Sequence, residues 1–225
     1  MYKNIVFDIG GVLINFHPRD FLMDLFFNED IEDKVYAITF GSDEWKQLDA
    51  GLISRYRANQ QMLERARKEG CEFEVKTVIE DWTTMLTTRQ KTAEILALLK
   101  ASGYRLYYLT NMPADLMAQL KERPFWPLFD GGVASCDVHV NKPDHQIFRT
   151  LMSKYGLVYQ ETIFIDDVRA NAQAAYDLGL TGILYKGNRS LLRALQSCGV
   201  QIGYHKATRT RRAPAQKPQR PTHKK

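Results

Sequence analysis

The sequence predicts an α/β protein, a doubly wound parallel sheet flanked by helices, with a helical cap inserted after the first strand. Three observations carry that prediction. Short apolar runs end in polar residues at Asp8, at Thr110-Asn111 and at Asp166-Asp167. Segments of helical periodicity separate most of these runs from the next. One long, wholly helical stretch intervenes once, from about residue 16 to residue 86. Strands alternating with helices imply right-handed crossovers and parallel pairing, and such sheets bind ligands at the carboxyl ends of their strands.

Taken in order, Asn4-Ile5-Val6-Phe7 is a strand that delivers Asp8 into a turn marked by Gly10-Gly11. From His17 to Leu86 the pattern is helical: Phe21, Leu22, Leu25 and Phe26 recur at spacings of three and four. Ser42 and Ser54 stand where helix N-caps belong, and Gly51 separates two helical stretches. Ile95, Leu96, Leu98 and Leu99 give a helix face starting near Gln90, Gly103 ends it, and Tyr104 to Leu109 is a strand. Gly131–Ser135, Thr162–Ile165 and Thr181–Leu184 are the remaining strands, with helices over His145–Tyr155 and Ala170–Leu178. The expected division is a core of residues 1–15 and 87–203, a cap of 16–86, and a tail of 204–225. The tail holds three prolines among basic residues and no apolar periodicity, so burial cannot offset its ordering entropy and disorder is expected there.

Bulk properties remove several function classes. With 44% hydrophobic and 25% charged residues the chain is globular rather than fibrous or disordered. No apolar run reaches the ~18 residues that a membrane span requires, and the start reads as a strand rather than a signal peptide. The formal charge of +5 suggests nucleic acid until it is mapped: eight of the 31 basic residues lie after position 203, without a single acid, and the body is slightly acidic. Nucleic-acid binding is therefore unexpected, and if it exists it belongs to the tail and is salt-sensitive. Cys71, Cys136 and Cys198 are widely spaced and form no CxxC pair, which predicts neither disulfide framework nor zinc site and favours a reducing cytoplasm. A monomer or homodimer is expected.

Four motifs carry the chemistry: Phe7-Asp8-Ile9-Gly10-Gly11-Val12-Leu13, Leu109-Thr110-Asn111, Asn141-Lys142-Pro143-Asp144 and Phe164-Ile165-Asp166-Asp167. In this order, on these kinds of element and over roughly residues 1–200, the chain resembles the haloacid dehalogenase (HAD) superfamily. Within it the chain looks like the small phosphatases with a helical cap, including those acting on hexose phosphates. The resemblance implies a Rossmann-like core and magnesium-dependent hydrolysis of a small phosphorylated metabolite. Asp8 is then the nucleophile that forms an aspartyl-phosphate. Magnesium is expected on Asp8, the main-chain carbonyl of Gly10 and the Asp166-Asp167 pair, with Asp167 favoured for direct contact. The Thr110 hydroxyl and the Asn111 backbone N–H would hold phosphate oxygens, and Lys142 would neutralise both nucleophile and phosphate.

Physical chemistry supports the same assignments. Phosphoryl transfer needs an in-line nucleophile and positive charge around the equatorial oxygens. A carboxylate meeting a phosphate is like charge on like charge, which a hard cation with oxygen ligands relieves. Adjacent carboxylates at an apolar strand end are costly unless a cation is near.

Gly10 departs from the pattern. Phosphatases of this resemblance usually carry an aspartate two residues after the nucleophile, and such general acid–base help contributes ~10²–10⁴-fold. Three outcomes stay open: selection of substrates with good leaving groups such as sugar 1-phosphates, an acid borrowed from cap or substrate, or a weak or inactive protein that only binds phospho-ligands. An aromatic residue at that position, as in the dehalogenase branch, is absent. His17 and His139 titrate near working pH and are candidates for the acid, although a hinge or surface role is the simpler reading of His17. Trp45, Tyr56 and Trp82 read first as cap core and second as a platform on which a sugar ring stacks.

Overall fold

The computed structural model describes residues 1–203; the expected disordered tail lies outside them. Five parallel strands, β1 (Asn4–Phe7), β2 (Arg105–Thr110), β3 (Gly131–Ala134), β4 (Thr162–Asp166) and β5 (Thr181–Leu184), form one sheet in the order β3-β2-β1-β4-β5. Every residue of β1 and β4 is buried, as a central strand covered on both faces must be. The period of two divides the core. Ile5, Phe7, Ile163 and Ile165 face one apolar cluster, while Val6 and Phe164 face the other.

Between β1 and β2 come α1 (Pro18–Phe26), α2 (Glu29–Ile38), α3 (Asp43–Asp49), α4 (Arg55–Glu69), α5 (Glu72–Asp81) and then α6 (Gln90–Ala101). Ser42 and Ser54 cap α3 and α4 through the amides of Trp45 at 3.1 Å and Arg57 at 3.2 Å, as expected. The first cluster runs unbroken from the sheet into this helical unit through Leu22, Val35, Trp45 and Met62. The chain enters and leaves the unit side by side: Asn15 N donates to Thr87 O and Arg89 N to Leu13 O, both at 2.8 Å.

After β2 the chain forms α7 (Ala114–Leu120), β3, the short α8 (Ser135–Val138), α9 (His145–Tyr155), β4, α10 (Arg169–Asp177), β5 and α11 (Asn188–Ser197). The strands and helices expected from periodicity stand within a residue or two of their predicted bounds. Helices α7 and α11 add to the expected elements, burying Leu116, Met117 and Leu120 in one and Leu191 and Leu195 in the other. Among the described residues no helix is long and apolar enough to cross a membrane.

Candidate active site

The parallel register ends β1, β2 and β4 together, with Phe7 opposite Tyr108 and Ile165, so the residues that follow converge at one edge. Asp8 N is fixed by Ile165 O at 2.8 Å, and the chain then turns tightly, Leu13 N and Ile14 N both returning to Ile9 O. Gly11 sits at φ +68°, where a Cβ would stand 2.1 Å from Asp167 Oδ2. Only glycine lets the turn approach that carboxylate. Gly10 is different: its Cβ would have 4.0 Å to the nearest side chain.

Lys142 is the centre of the charge network. Its buried Nζ donates to Asp8 Oδ1 at 2.9 Å, Asp166 Oδ2 at 2.7 Å and Leu109 O at 2.9 Å. Burial pushes its pKa down, and the two carboxylates more than offset this, leaving it above the usual lysine value. Asn111 holds the lysine's backbone from both sides, Lys142 N donating to Oδ1 at 2.8 Å and Nδ2 donating to Lys142 O at 3.0 Å. The reading from sequence gave Asn111 only its backbone N–H; the side chain's clamp on Lys142 is an addition.

Asp166 is fully buried, and each of its oxygens accepts twice, from Lys142 Nζ, Val168 N and, at both, Asn171 Nδ2. Asp167 is partly exposed at the cavity edge. One oxygen from each of Asp8, Asp166 and Asp167 lies within 4.8 Å of the others. Burial first, and the neighbouring Asp166 and Asp167 after it, push the Asp8 carboxyl up to about 7 although Lys142 pulls it back. Burial and Asp166 likewise raise Asp167. Three crowded carboxylates and a nearby carbonyl are the all-oxygen donor set that magnesium takes, and a cation there would relieve the repulsion that raises both groups. The residues present therefore fit the expected metal.

Asp8, Gly10, Asn111, Lys142 and Asp167 all line a single cavity of about 240 Å³. Thr110, expected to hold a phosphate oxygen, is buried and does not line the cavity, and its Oγ1 has no hydrogen-bond partner. The rest of the lining is largely apolar: Ile14, Phe16, Phe40, Trp45, Trp82, Leu86, Met112 and Leu116. Trp45 and Trp82 pack edge to face at 4.9 Å, so they are core and cavity wall at once. Tyr56 is exposed and away from it. Neither His17, which meets Arg89, nor His139 lines the cavity.

Sequence reasoning missed Asp49, the last residue of α3, which lines the same cavity as the strand-end residues. One signal could have found it, since a carboxylate at a helix C-terminus opposes the macrodipole and gains nothing locally. The core holds this turn of the cap directly. Ser135 Oγ donates to Asp49 O, His139 Nδ1 to Ala50 O at 3.0 Å and Asn141 Nδ2 to Lys46 O at 2.8 Å. Arg55 of α4 pairs with Asp115 of α7 at 2.9 Å. Gly51, at φ +66°, admits the backbone of Cys136, whose carbonyl would stand 2.9 Å from a Cβ.

Comparison with known proteins agrees with this geometry. A family model described as haloacid dehalogenase-like hydrolase matches residues 2–179. The chain is 29% identical over 183 residues to the sesquiterpene phosphatase astK of Aspergillus oryzae, covering 81% of this chain and 89% of that one. It is 25% identical over 188 residues to the D-ribitol-5-phosphate phosphatase of Bacteroides thetaiotaomicron, 80% and 89% covered. Some relatives are longer, and the chain spans 36% of the drimenol cyclase drtB of Aspergillus calidoustus. The fold matches that of a HAD family enzyme from Bacteroides thetaiotaomicron solved in complex with magnesium and inorganic phosphate, with TM-score 0.65, 24% identity, and 85% and 99% of the two chains covered.

Proposed function

From the premise that this chain belongs to the haloacid dehalogenase-like hydrolase family, we propose that it is a magnesium-dependent phosphatase that cleaves small monoesters bearing an apolar organic group. One observation carries the reading: a buried carboxylate, Asp8, held by Lys142 at 2.9 Å, opens onto a cavity that four aromatic side chains also line. Asp8 attacks phosphorus and becomes the aspartyl-phosphate; water then releases inorganic phosphate. Lys142 spreads positive charge over nucleophile and phosphate while Leu109 O and Asp166 keep its Nζ in place. Asp8, the Gly10 carbonyl and Asp167 would hold magnesium, with Asp166 fixed beside them by its hydrogen bonds. Bound there, the cation would screen the approach of carboxylate to phosphate and stabilise equatorial charge. The Thr110 hydroxyl supplies a donor to a phosphate oxygen.

The wall decides between substrate groups. Phe16, Phe40, Trp45 and Trp82 offer area but few hydroxyl partners, so each buried methylene of a substrate gains ~0.8 kcal/mol. That favours an apolar chain or ring, in keeping with the sesquiterpene phosphatase relative, over a sugar phosphate. The D-ribitol-5-phosphate phosphatase relative keeps sugar phosphates as the second reading.

The test is phosphate release from prenyl and alkyl monophosphates, hexose 1-phosphates, pentitol phosphates and p-nitrophenyl phosphate, with and without magnesium, beside Asp8→Asn. Release that requires both magnesium and Asp8 and is fastest with apolar esters is expected. Magnesium-dependent binding without turnover on any substrate would instead make this a phospho-ligand binding protein.

A further inference from the structure

An alkyl or prenyl alcohol is a poor leaving group as an alkoxide, so its oxygen needs a proton as the P–O bond breaks. Among the described residues five titratable side chains line the cavity: Asp8, Lys46, Asp49, Lys142 and Asp167. Four have other work. Asp8 is the nucleophile, Lys142 is bound at its three donor positions, Asp167 belongs to the cation site, and Lys46 is an exposed partner of Asp43 at 2.8 Å. Asp49 remains, brought to the same cavity as Asp8 by α3 of the cap rather than by a strand end.

Resting on the phosphatase reading above, we propose that Asp49 of the cap is the general acid and base of this enzyme, replacing the carboxylate that Gly10 lacks. In the first step an Asp8 oxygen bonds to phosphorus. The P–O ester bond breaks with its electron pair on the alcohol oxygen, and that oxygen takes the Asp49 proton. In the second, the Asp49 carboxylate removes a proton from water. The water oxygen bonds to phosphorus, the bond to Asp8 breaks, and inorganic phosphate leaves with Asp49 protonated again.

The geometry supports this role in two further ways. The backbone of Lys46, Asp49 and Ala50 is held by Asn141, Ser135 and His139 of the core, so the carboxyl is placed by the same contacts that shut the cap. Cys136 against Gly51 fixes the following residue as well. Around the carboxyl stand Arg55 from α4, Asp115 from α7, Asp8 just after β1 and the Trp45 side chain of its own helix, which donates to it. Burial, with Asp115 and Asp8 adding to it against Arg55, pushes Asp49 up to about 7, where it can both give and take a proton.

The experiment uses the full chain with magnesium and four forms: native, Asp49→Asn, Gly10→Asp and the double variant. Turnover of an alkyl phosphate and the first-turnover burst of nitrophenolate from p-nitrophenyl phosphate are read together. Nitrophenolate leaves without a proton, so its burst reports Asp8 alone. Asp49→Asn should lower alkyl phosphate kcat ~10²–10⁴-fold while the burst persists. Gly10→Asp, for which there is room, should restore alkyl turnover in the double variant. A loss of the burst equal to the loss of alkyl turnover, or unchanged alkyl turnover, overturns the assignment. A native chain that releases neither product refutes the phosphatase reading itself and takes this inference with it.

Discussion

Replacing Lys142 by methionine removes one charge and little volume, and its cost follows from the contacts of a single nitrogen. Nζ lies 2.9 Å from Asp8, 2.7 Å from Asp166 and 2.9 Å from Leu109 O, with the lysine side chain 1% exposed and that of Asp166 0%. Without it two buried carboxylates lose their shared counter-charge and a buried carbonyl loses its donor. Breaking a buried pair by removing one partner costs ~3–5 kcal/mol. For a chain of this size that corresponds to a fall in Tm of roughly 6–20 °C. The assay is urea unfolding in chelator, checked by thermal melting, and magnesium should recover part of the loss because it binds the folded carboxylates alone. A Lys142→Met protein within about 1 kcal/mol of native in chelator would refute the reasoning, since it would mean that the carboxylates fold uncharged without help from the lysine.

Asp49→Asn should leave stability unchanged near pH 4 and raise it at pH 8. The folded pKa of Asp49 is raised to about 7 above an unfolded ~3.9, so the penalty for ionising it grows as pH climbs between those values and is complete above the higher; urea midpoints across the range would check it. Gly11→Ala places a methyl in a left-handed position costing ~1–2 kcal/mol and 2.1 Å from Asp167. It should weaken magnesium binding about tenfold or more by calorimetry. Arg55→Gln removes the α4–α7 bridge, of which Arg55 is 23% exposed and Asp115 47%. A partly exposed pair contributes ~1 kcal/mol or less, so KM should rise up to about fivefold while the chemistry on p-nitrophenyl phosphate persists; an unchanged KM would mean that the bridge has no share in closure.

The sheet was legible because its signal is local. Five apolar runs, each ending in a turn or a polar residue, suffice to mark parallel strands, and β1, β4 and β5 stand where their apolar residues put them. That Asp8, Lys142 and the Asp166-Asp167 pair come together was legible for the same reason, since each sits at a strand end or in a short motif. Helices α7 and α11 carry the same local signal, Leu116 and Leu120 four apart in one and Leu191 and Leu195 four apart in the other, so nothing physical hid them. Asp49 escaped for a physical reason: its neighbours in the cavity, Asp8 and Lys142, lie far from it in sequence, and only the docking of α3 against Ser135, His139 and Asn141 brings it there. Trp45 and Trp82 were read as core and are core; that they also line the cavity depends on where the helical unit meets the sheet.

The residues that hold the cap shut, Ser135, His139 and Asn141, belong to the stretch of chain that ends in Lys142. Ser135 Oγ also accepts from Met112 N, next to Asn111, which clamps Lys142 on both sides. The helical unit and the lysine are therefore anchored to one segment. A change at Ser135 would disturb both the seat of α3 and, through Met112, the loop whose Asn111 clamps Lys142, while Nζ itself keeps its contacts to Leu109 O, Asp8 and Asp166.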